Sequence, residues 1–287
     1  MSTGRLSNTI GTTLPRKVSV AVLGWLVALA FLLPLAWMLF GSFRTETDLF
    51  TSQYPLTPWI LFPRTFTLDN YTGVLGGVFS LSVVNSILVT AVTVLVGLLV
   101  NAMAAFAFAL SRGRGAPILF GFVVLCFLIP FDALAVPLAN LFKDWSLWNT
   151  YAGLILPGIA NGFVIFALRQ FFLAIPGELA EAARIDGLSS WGIFWRIYLP
   201  LSKPALIGAG FTLFLFQWGA YLWPLLIGTA PDKMLGPIAL ASLSSQTEVH
   251  WGQIFAGAVL LTIVPMLLLL FFQRHFTGSL STSGSKG

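Results

Sequence analysis

The sequence predicts an all-α, polytopic membrane protein with six transmembrane helices. The 287-residue chain is 57% hydrophobic and 9% charged, with a mean hydropathy of +0.90, whereas soluble domains are about one quarter charged. Its apolar residues also fall into six separate runs. Each run approaches or exceeds the ~20 residues that a helix needs to cross ~30 Å of hydrocarbon.

The spans are separated by polar or glycine-rich segments. The first is too long, and too far from the start of the chain, for a cleaved signal peptide, so we expect it to be retained. A tail over 1–17 precedes the membrane domain at 18–274, and a second tail follows at 275–287. The spans are expected at about 18–43, 82–110, 117–140, 149–172, 204–229 and 252–273.

The basic residues predict the orientation of these spans. With the N-terminus inside, eleven of the 15 Lys and Arg residues fall in cytoplasmic segments and four fall outside. Cytoplasmic loops carry such an excess, so both tails are expected in the cytoplasm. Topology then accounts for the net charge of +5, and we find no independent sign of nucleic-acid binding.

The sequence lacks the motifs of common catalytic sites. It has a single cysteine, Cys126, and its two histidines lie in no HExxH or Cys/His cluster, so no metal site is expected. A phosphate-binding GxxxxGK[ST] loop and a GxSxG nucleophile motif are also missing. We therefore expect no catalytic residues and no cofactor in this chain.

The predicted cytoplasmic connection at 175–204 is unusually polar for this chain. Its first half predicts a short helix with Glu178 in the first turn and Gly187 just past the end as a C-cap. Ser189 is placed to cap a second helix. That helix would present one aromatic face, formed by Trp191, Phe194, Trp195 and Tyr198. Taken alone, such a segment is most often a solvated elbow.

The order of residues in this connection resembles a known motif. Glu181-Ala182-Ala183, then Asp186-Gly187, then Pro200 to Pro204 are similar to the EAA loop of inner-membrane permeases in binding-protein-dependent ABC importers. The sequence departs from the usual pattern at Leu188, where Ala is common. Tyr221-Leu222-Trp223-Pro224 and Phe272-Gln273-Arg274 further resemble the carbohydrate branch, of maltose and glycerol-phosphate type.

The resemblance implies an ABC importer type I permease fold in a prokaryotic plasma (inner) membrane. It implies a second homologous permease, two cytoplasmic ATPase subunits that bind ATP and Mg, and an extracytoplasmic solute-binding protein. The substrate would be a sugar, an oligosaccharide or a sugar-like polyol phosphate. The loop would dock its short helix on the ATPase through Glu178, Glu181, Ala182, Ala183, Arg184, Asp186 and Gly187.

Polar residues within the spans are candidates for a substrate path. Asp132 is the only acid in the predicted spans, and it is either functional or a structural hydrogen-bond former. Gln217, Trp218 and Tyr221 recur at helical spacing on the fifth span. An amide beside aromatic rings suits sugar binding, although helix packing explains such a trio more often.

Two other functions have weaker support in the sequence. A proton-coupled secondary transporter would use Asp132, but the sequence predicts no membrane-embedded Lys, Arg or His partner for it, and such a carrier has no need of the helix near Glu181. A membrane enzyme would need a nucleophile, metal or acid pair that the sequence does not offer.

Overall fold

The computed structural model describes residues 14–51, 58–60, 62–111, 113–244 and 249–283. Over these ranges the chain is helical apart from turns and one isolated bridge between Arg44 and Phe66. The outer parts of both predicted tails, 1–13 and 284–287, lie outside the described residues. The helices are α1 (Leu14–Gly41), α2 (Glu46–Thr51), α3 (Asp69–Leu75), α4 (Val78–Leu110), α5 (Ala116–Leu128), α6 (Phe131–Asp144), α7 (Tyr151–Ile159), α8 (Gly162–Leu173), α9 (Gly177–Ile185), α10 (Ser190–Ile193), α11 (Leu199–Leu201), α12 (Lys203–Trp218), α13 (Leu222–Ile227), α14 (Gly236–Ser244) and α15 (Trp251–Ser283).

Three helical stretches are long and apolar enough to cross a membrane unbroken: Val18–Gly41, Val78–Leu110 and Trp251–Gln273. Three bent helix pairs bring the number to six if each pair counts as one span. The all-helical membrane fold predicted from the sequence is thereby confirmed. Helix α4 begins four residues before the predicted start at 82, and α15 continues past the predicted end at 273.

The predicted third span is broken rather than straight. Helices α5 and α6 meet at 95°, and the break falls at Ile129, whose φ of −74° and ψ of 121° are extended. Pro130 follows, and a proline disfavours helical geometry in the residue before it. The sequence shows this proline, but the size of the turn depends on how α6 packs against α13.

The predicted fourth and fifth spans are also interrupted. Helices α7 and α8 bend by 41° where Ala160 and Asn161 are extended. Helix α12 ends at Trp218 after 16 residues, and α13 begins only at Leu222. Tyr221 therefore does not continue the helical face of Gln217, contrary to the spacing argument from the sequence.

Helix α4 is the centre of the bundle and packs against α7, α8 and α12. Gly97 permits a close approach, because a Cβ there would lie 3.0 Å from the carbonyl oxygen of Ile159. Asn101 then joins the two sides of the α7–α8 break. Its Nδ2 donates to Ile159 O at 2.8 Å, and its Oδ1 accepts from Asn161 N at 2.9 Å.

Helix α1 stands apart from this bundle. None of the residues in its most hydrophobic 18-residue window is buried, and its contacts concentrate at its C-terminal end. There Trp37 packs edge-on against Phe255 of α15 at 5.1 Å. Most of the apolar surface of α1 is therefore left without a partner in this chain.

A buried ion pair organises the segment that follows α1. Arg44 and Asp48 are 1% and 6% exposed, and Arg44 Nε donates to Asp48 Oδ2 at 2.8 Å. Asn70 closes the arrangement by donating to the carbonyl oxygens of Ser42 and Arg44. The start of α3 is thus tied to the end of α1.

Candidate functional site

Helix α9 forms at the position predicted for the short loop helix. Glu178 lies in its first turn, where a carboxylate complements the helix dipole. Gly187 has a φ of +82°. Its N–H bonds to Arg184 O at 3.0 Å while Leu188 N–H bonds to Ala183 O at 2.9 Å, the pattern of a Schellman cap. The predicted glycine C-cap is confirmed.

Most of the residues proposed for ATPase coupling share the exposed surface of α9 and its cap. They are Glu178, Glu181, Ala182, Arg184, Asp186 and Gly187. Ala183 is different: it is 6% exposed and faces the chain's own core, as does Ala180 at 4%. The sequence-based expectation that Ala183 offers a docking surface is therefore corrected. Its small size lets α9 lie close to the rest of the loop.

Two apolar residues on this surface were missed. Ile185 is 87% exposed and Leu179 is 43% exposed, although both belong to an otherwise charged helix. Their position within the polar EAA segment was the available signal, since large apolar side chains on a charged loop helix suggest a docking face.

The second half of the connection anchors α9 to the bundle. Ser189 caps α10 by accepting from Gly192 N–H at 3.2 Å, as predicted. The predicted single aromatic face divides: Trp191 and Trp195 are exposed, while Phe194 and Tyr198 are 1% and 3% exposed. Phe194 and Tyr198 are four residues apart on the side that meets the bundle, and a π-helical turn covers this segment, Phe194–Tyr198.

The two buried rings pack against the transmembrane helices. Phe106 of α4 contacts Phe194 at 5.2 Å and Tyr198 at 5.0 Å between ring centroids. Phe172 of α8 meets Tyr198 edge-on at 5.5 Å. Burial raises the pKa of the Tyr198 phenol, and the nearby positive charge of Arg184 partly opposes this. These four rings, named here the aromatic bracket, join the loop to α4 and α8.

A cavity of about 430 Å³ lies where the three broken spans meet. Each break contributes to its wall: Ile129 and Pro130 from the third span, Ala160 and Asn161 from the fourth, and Ala220 from the fifth. Four aromatic side chains also line it, namely Phe127, Phe131, Phe216 and Trp223. The sequence analysis missed this cavity because its walls come from distant parts of the chain.

Gln217 is the predicted substrate-path residue that lines the cavity. It is 7% exposed, and its side-chain amide makes no hydrogen bond among the described residues, whereas the fully enclosed polar side-chain atoms without a partner there are Thr93 Oγ1 and Ser202 Oγ. The absence of a side chain at Gly158 makes room for it, since a Cβ there would lie 2.4 Å from Gln217 Oε1. A buried amide with unused hydrogen-bonding capacity costs free energy unless water or a ligand satisfies it.

The other three candidates lie elsewhere. Trp218 lines a different groove and stacks on Phe214 at 5.5 Å, and Tyr221 is 47% exposed. Asp132 is exposed in the first turn of α6, and the cavity wall includes its neighbour Phe131 instead. The structure does not bring these three together with Gln217.

The described part of the chain contains no group of three or more His, Cys, Asp or Glu residues placed to hold a metal ion. The polar side chains at the cavity are the amides of Gln217 and Asn161, which lie beside the aromatic rings. Such groups suit a polar ligand.

Comparison with known proteins agrees with this architecture. Residues 94–281 match the family described as binding-protein-dependent transport system inner membrane component. The chain is 36% identical over 282 residues to the arabinooligosaccharides transport system permease protein AraQ of Halalkalibacterium halodurans, covering 95% of this chain and 99% of the relative.

Two further relatives differ in their named substrates. The trehalose transport system permease protein SugB of Mycobacterium tuberculosis is 34% identical and covers 93% of this chain, with 97% of its own length matched. The sn-glycerol-3-phosphate transport system permease protein UgpE of Salmonella typhi is 35% identical over 79% of this chain and 84% of its own.

The fold matches that of a chain in the crystal structure of a bacterial ABC transporter involved in alginate import. The TM-score is 0.79 at 22% identity, with 96% of this chain and 100% of that chain covered. The resemblance inferred from Glu181-Ala182-Ala183 is confirmed. The chain belongs to the family of binding-protein-dependent transport system inner membrane components, and it is a permease subunit.

Proposed function

We propose that this chain forms, with a second homologous permease, the membrane path of an ATP-driven importer for a sugar, an oligosaccharide or a glycerol-phosphate-like substrate. The observation that carries this proposal is the placement of helix α9. Its charged face is exposed, while its small residues Ala180 and Ala183 are buried against the rest of the chain. The named relatives support the substrate class, since they include arabinooligosaccharide, trehalose and glycerol-phosphate permeases.

The exposed face of α9 supports a role in docking on a cytoplasmic ATPase dimer. Glu178, Glu181 and Arg184 offer charge-assisted hydrogen bonds, and Ile185 offers apolar area. The aromatic bracket would carry a movement of α9 into α4 and α8, because packed rings transmit displacement rather than absorb it. ATP and Mg would be bound by the ATPase subunits.

The surface of α1 supports pairing with a second permease. Its apolar window remains unburied within this chain, and van der Waals packing between helices drives association inside a bilayer. A solute-binding protein would meet the opposite side of the membrane. Both termini would then lie in the cytoplasm, as the distribution of basic residues favours.

Gln217 is proposed as the polar group of the substrate path. Its amide can donate to and accept from sugar hydroxyls, and the aromatic walls at Phe131 and Phe216 offer faces on which sugar rings stack. The cavity of about 430 Å³ is within the range of small-molecule sites.

The decisive experiment is co-purification from membranes after mild detergent extraction. The test variant combines Glu181→Lys with Ile185→Asp, which reverses a charge and removes an apolar contact on the same face of α9. The matched control is Asp144→Lys, an exposed acid at the far end of α6. We expect the test variant to lose the ATPase subunits while keeping the second permease, and the control to keep both. Equal ATPase recovery in all three proteins would refute the coupling role.

The energy source is tested separately in reconstituted vesicles. Uptake that requires ATP and persists with a proton uncoupler is the expected result. Uptake abolished by the uncoupler and by Asp132→Asn would instead support the proton-coupled alternative.

A further inference from the structure

A second, almost wholly apolar groove runs along the outside of the bundle, and we propose that it holds one acyl chain of an anionic phospholipid whose headgroup pairs with Lys203. The groove has a volume of about 670 Å³ and lies between α4, α12 and α15. It is separate from the cavity of Gln217, so this proposal does not depend on the proposed transport function.

The groove follows one face of α12 along its whole length. Residues of α12 that line it recur every three or four positions from Lys203 to Trp218. At 1.5 Å per residue, this face is about 22 Å long. The groove is therefore long enough for an extended alkyl chain lying parallel to the helices.

The lining of the groove suits an alkyl chain. Every lining residue on α12 between Lys203 and Trp218 is apolar, namely Leu206, Ile207, Gly210, Phe211 and Phe214.

Small residues create the floor of the groove. A Cβ at Gly210 would make ordinary van der Waals contact with the Leu98 and Val94 side chains, at 3.7 and 3.9 Å. Ala91 lies on the facing wall. Stacked rings form part of one side, with Phe211, Phe214 and Trp218 arranged in series at 6.1 and 5.5 Å.

One end of the groove carries a positive charge. Among the described residues of its lining Lys203 is the single charged one, and it stands at the start of α12. Lys203 is exposed, and no carboxylate pairs with it among the described residues. An ammonium at the end of an apolar channel complements a lipid that carries a phosphate next to its acyl chains.

The test measures the lipid that stays with the purified transporter complex. Equal amounts of dioleoylphosphatidylglycerol and dioleoylphosphatidylcholine are added in detergent, the detergent is exchanged, and bound lipid is counted by native mass spectrometry. We expect wild type to prefer phosphatidylglycerol. The variant Lys203→Gln should lower this preference about fivefold, the effect of one basic residue near an anionic lipid.

A second variant tests the acyl chain itself. Gly210→Phe should reduce retention of both lipids, because the ring fills the channel, while Arg114→Gln, which removes an exposed cation outside the groove, should behave as wild type. An unfolding temperature in detergent equal to that of wild type shows that each variant is folded.

Three outcomes would overturn the proposal. Wild type that retains no lipid is the first. The second is that both Lys203→Gln and Gly210→Phe retain as much lipid as wild type, with the same preference for phosphatidylglycerol. The lipid would then bind elsewhere. The third is a photo-crosslinker at position 210 that reacts with the second permease and with no lipid, which would make the groove a protein interface.

Discussion

Between α7 and α12, the Gln217 side chain fills the space that a side chain at Gly158 would need. A Cβ at Gly158 would stand 2.4 Å from Gln217 Oε1 and 2.8 Å from Thr93 Cγ2, so the Gln217 amide holds its position only because residue 158 lacks a side chain. We predict that Gly158→Ala displaces this amide, destabilises the protein by about 1–3 kcal/mol through overpacking and lowers uptake.

The matched control for Gly158 is Gly121→Ala. Gly121 lies in α5, and a Cβ there would meet nothing within 4 Å, so the control should be as stable as wild type or slightly more so. Thermal unfolding in detergent and uptake in vesicles compare the two variants. Equal behaviour of both would contradict the tight Gly158–Gln217 contact.

The variant Gln217→Leu tests the role of the amide in substrate binding separately from its role in folding stability. The amide makes no hydrogen bond within the described residues and is not among their fully enclosed unpaired atoms, so its removal should leave the unfolding temperature about unchanged. If the amide makes one or two hydrogen bonds to substrate, the substrate concentration for half-maximal uptake should rise about 10-fold or more. Gln273→Leu, an amide near the end of the last span and outside the cavity, is the control. An unchanged concentration dependence in Gln217→Leu would remove Gln217 from the path.

Gly187→Ala tests the cap of the loop helix. With a φ of +82°, any residue with a Cβ costs about 1–2 kcal/mol at this position. The last turn of α9 should loosen, and ATPase stimulation by transport substrate should fall. Gly177→Ala, at the other end of α9, has ordinary backbone geometry and open space around it. A wild-type response is expected there, and equal stimulation in both variants would mean that the cap has no part in coupling.

Asn101→Leu tests the joint between the two halves of the fourth span. It removes the donor to Ile159 O and the acceptor for Asn161 N, leaving two polar backbone groups at the break. We expect a loss of about 1–3 kcal/mol and faster hydrogen exchange at Asn161. Asn140→Leu, an exposed amide on α6, should show neither effect, and protection at Asn161 that survived in Asn101→Leu would contradict the bridging role.

Local features of the sequence predicted much of the loop. Gly187 and Ser189 were identified correctly because a helix cap depends on a few neighbouring residues. The prediction of one aromatic face was half right, because Phe194 and Tyr198 pack against Phe106 and Phe172 of distant spans while Trp191 and Trp195 stay exposed.

The same reasoning failed for Ala183 and for Trp218 and Tyr221. Whether an alanine in a short helix faces solvent or core depends on where Phe194 and Tyr198 pack, and these rings meet Phe106 and Phe172 from distant spans. Tyr221 does not lie on the helical face of Gln217, because α12 ends at Trp218.

By itself the sequence determined the membrane class, the apolar runs that form long helices and the caps of the EAA-like loop, because hydrophobic run length and capping residues act locally. Tertiary structure alone decided the 95° turn between α5 and α6, the cavity at the three breaks and the position of Gln217 in its wall. These depend on packing between residues far apart in the chain, and hydrophobic periodicity carries no information about which distant backbones will meet.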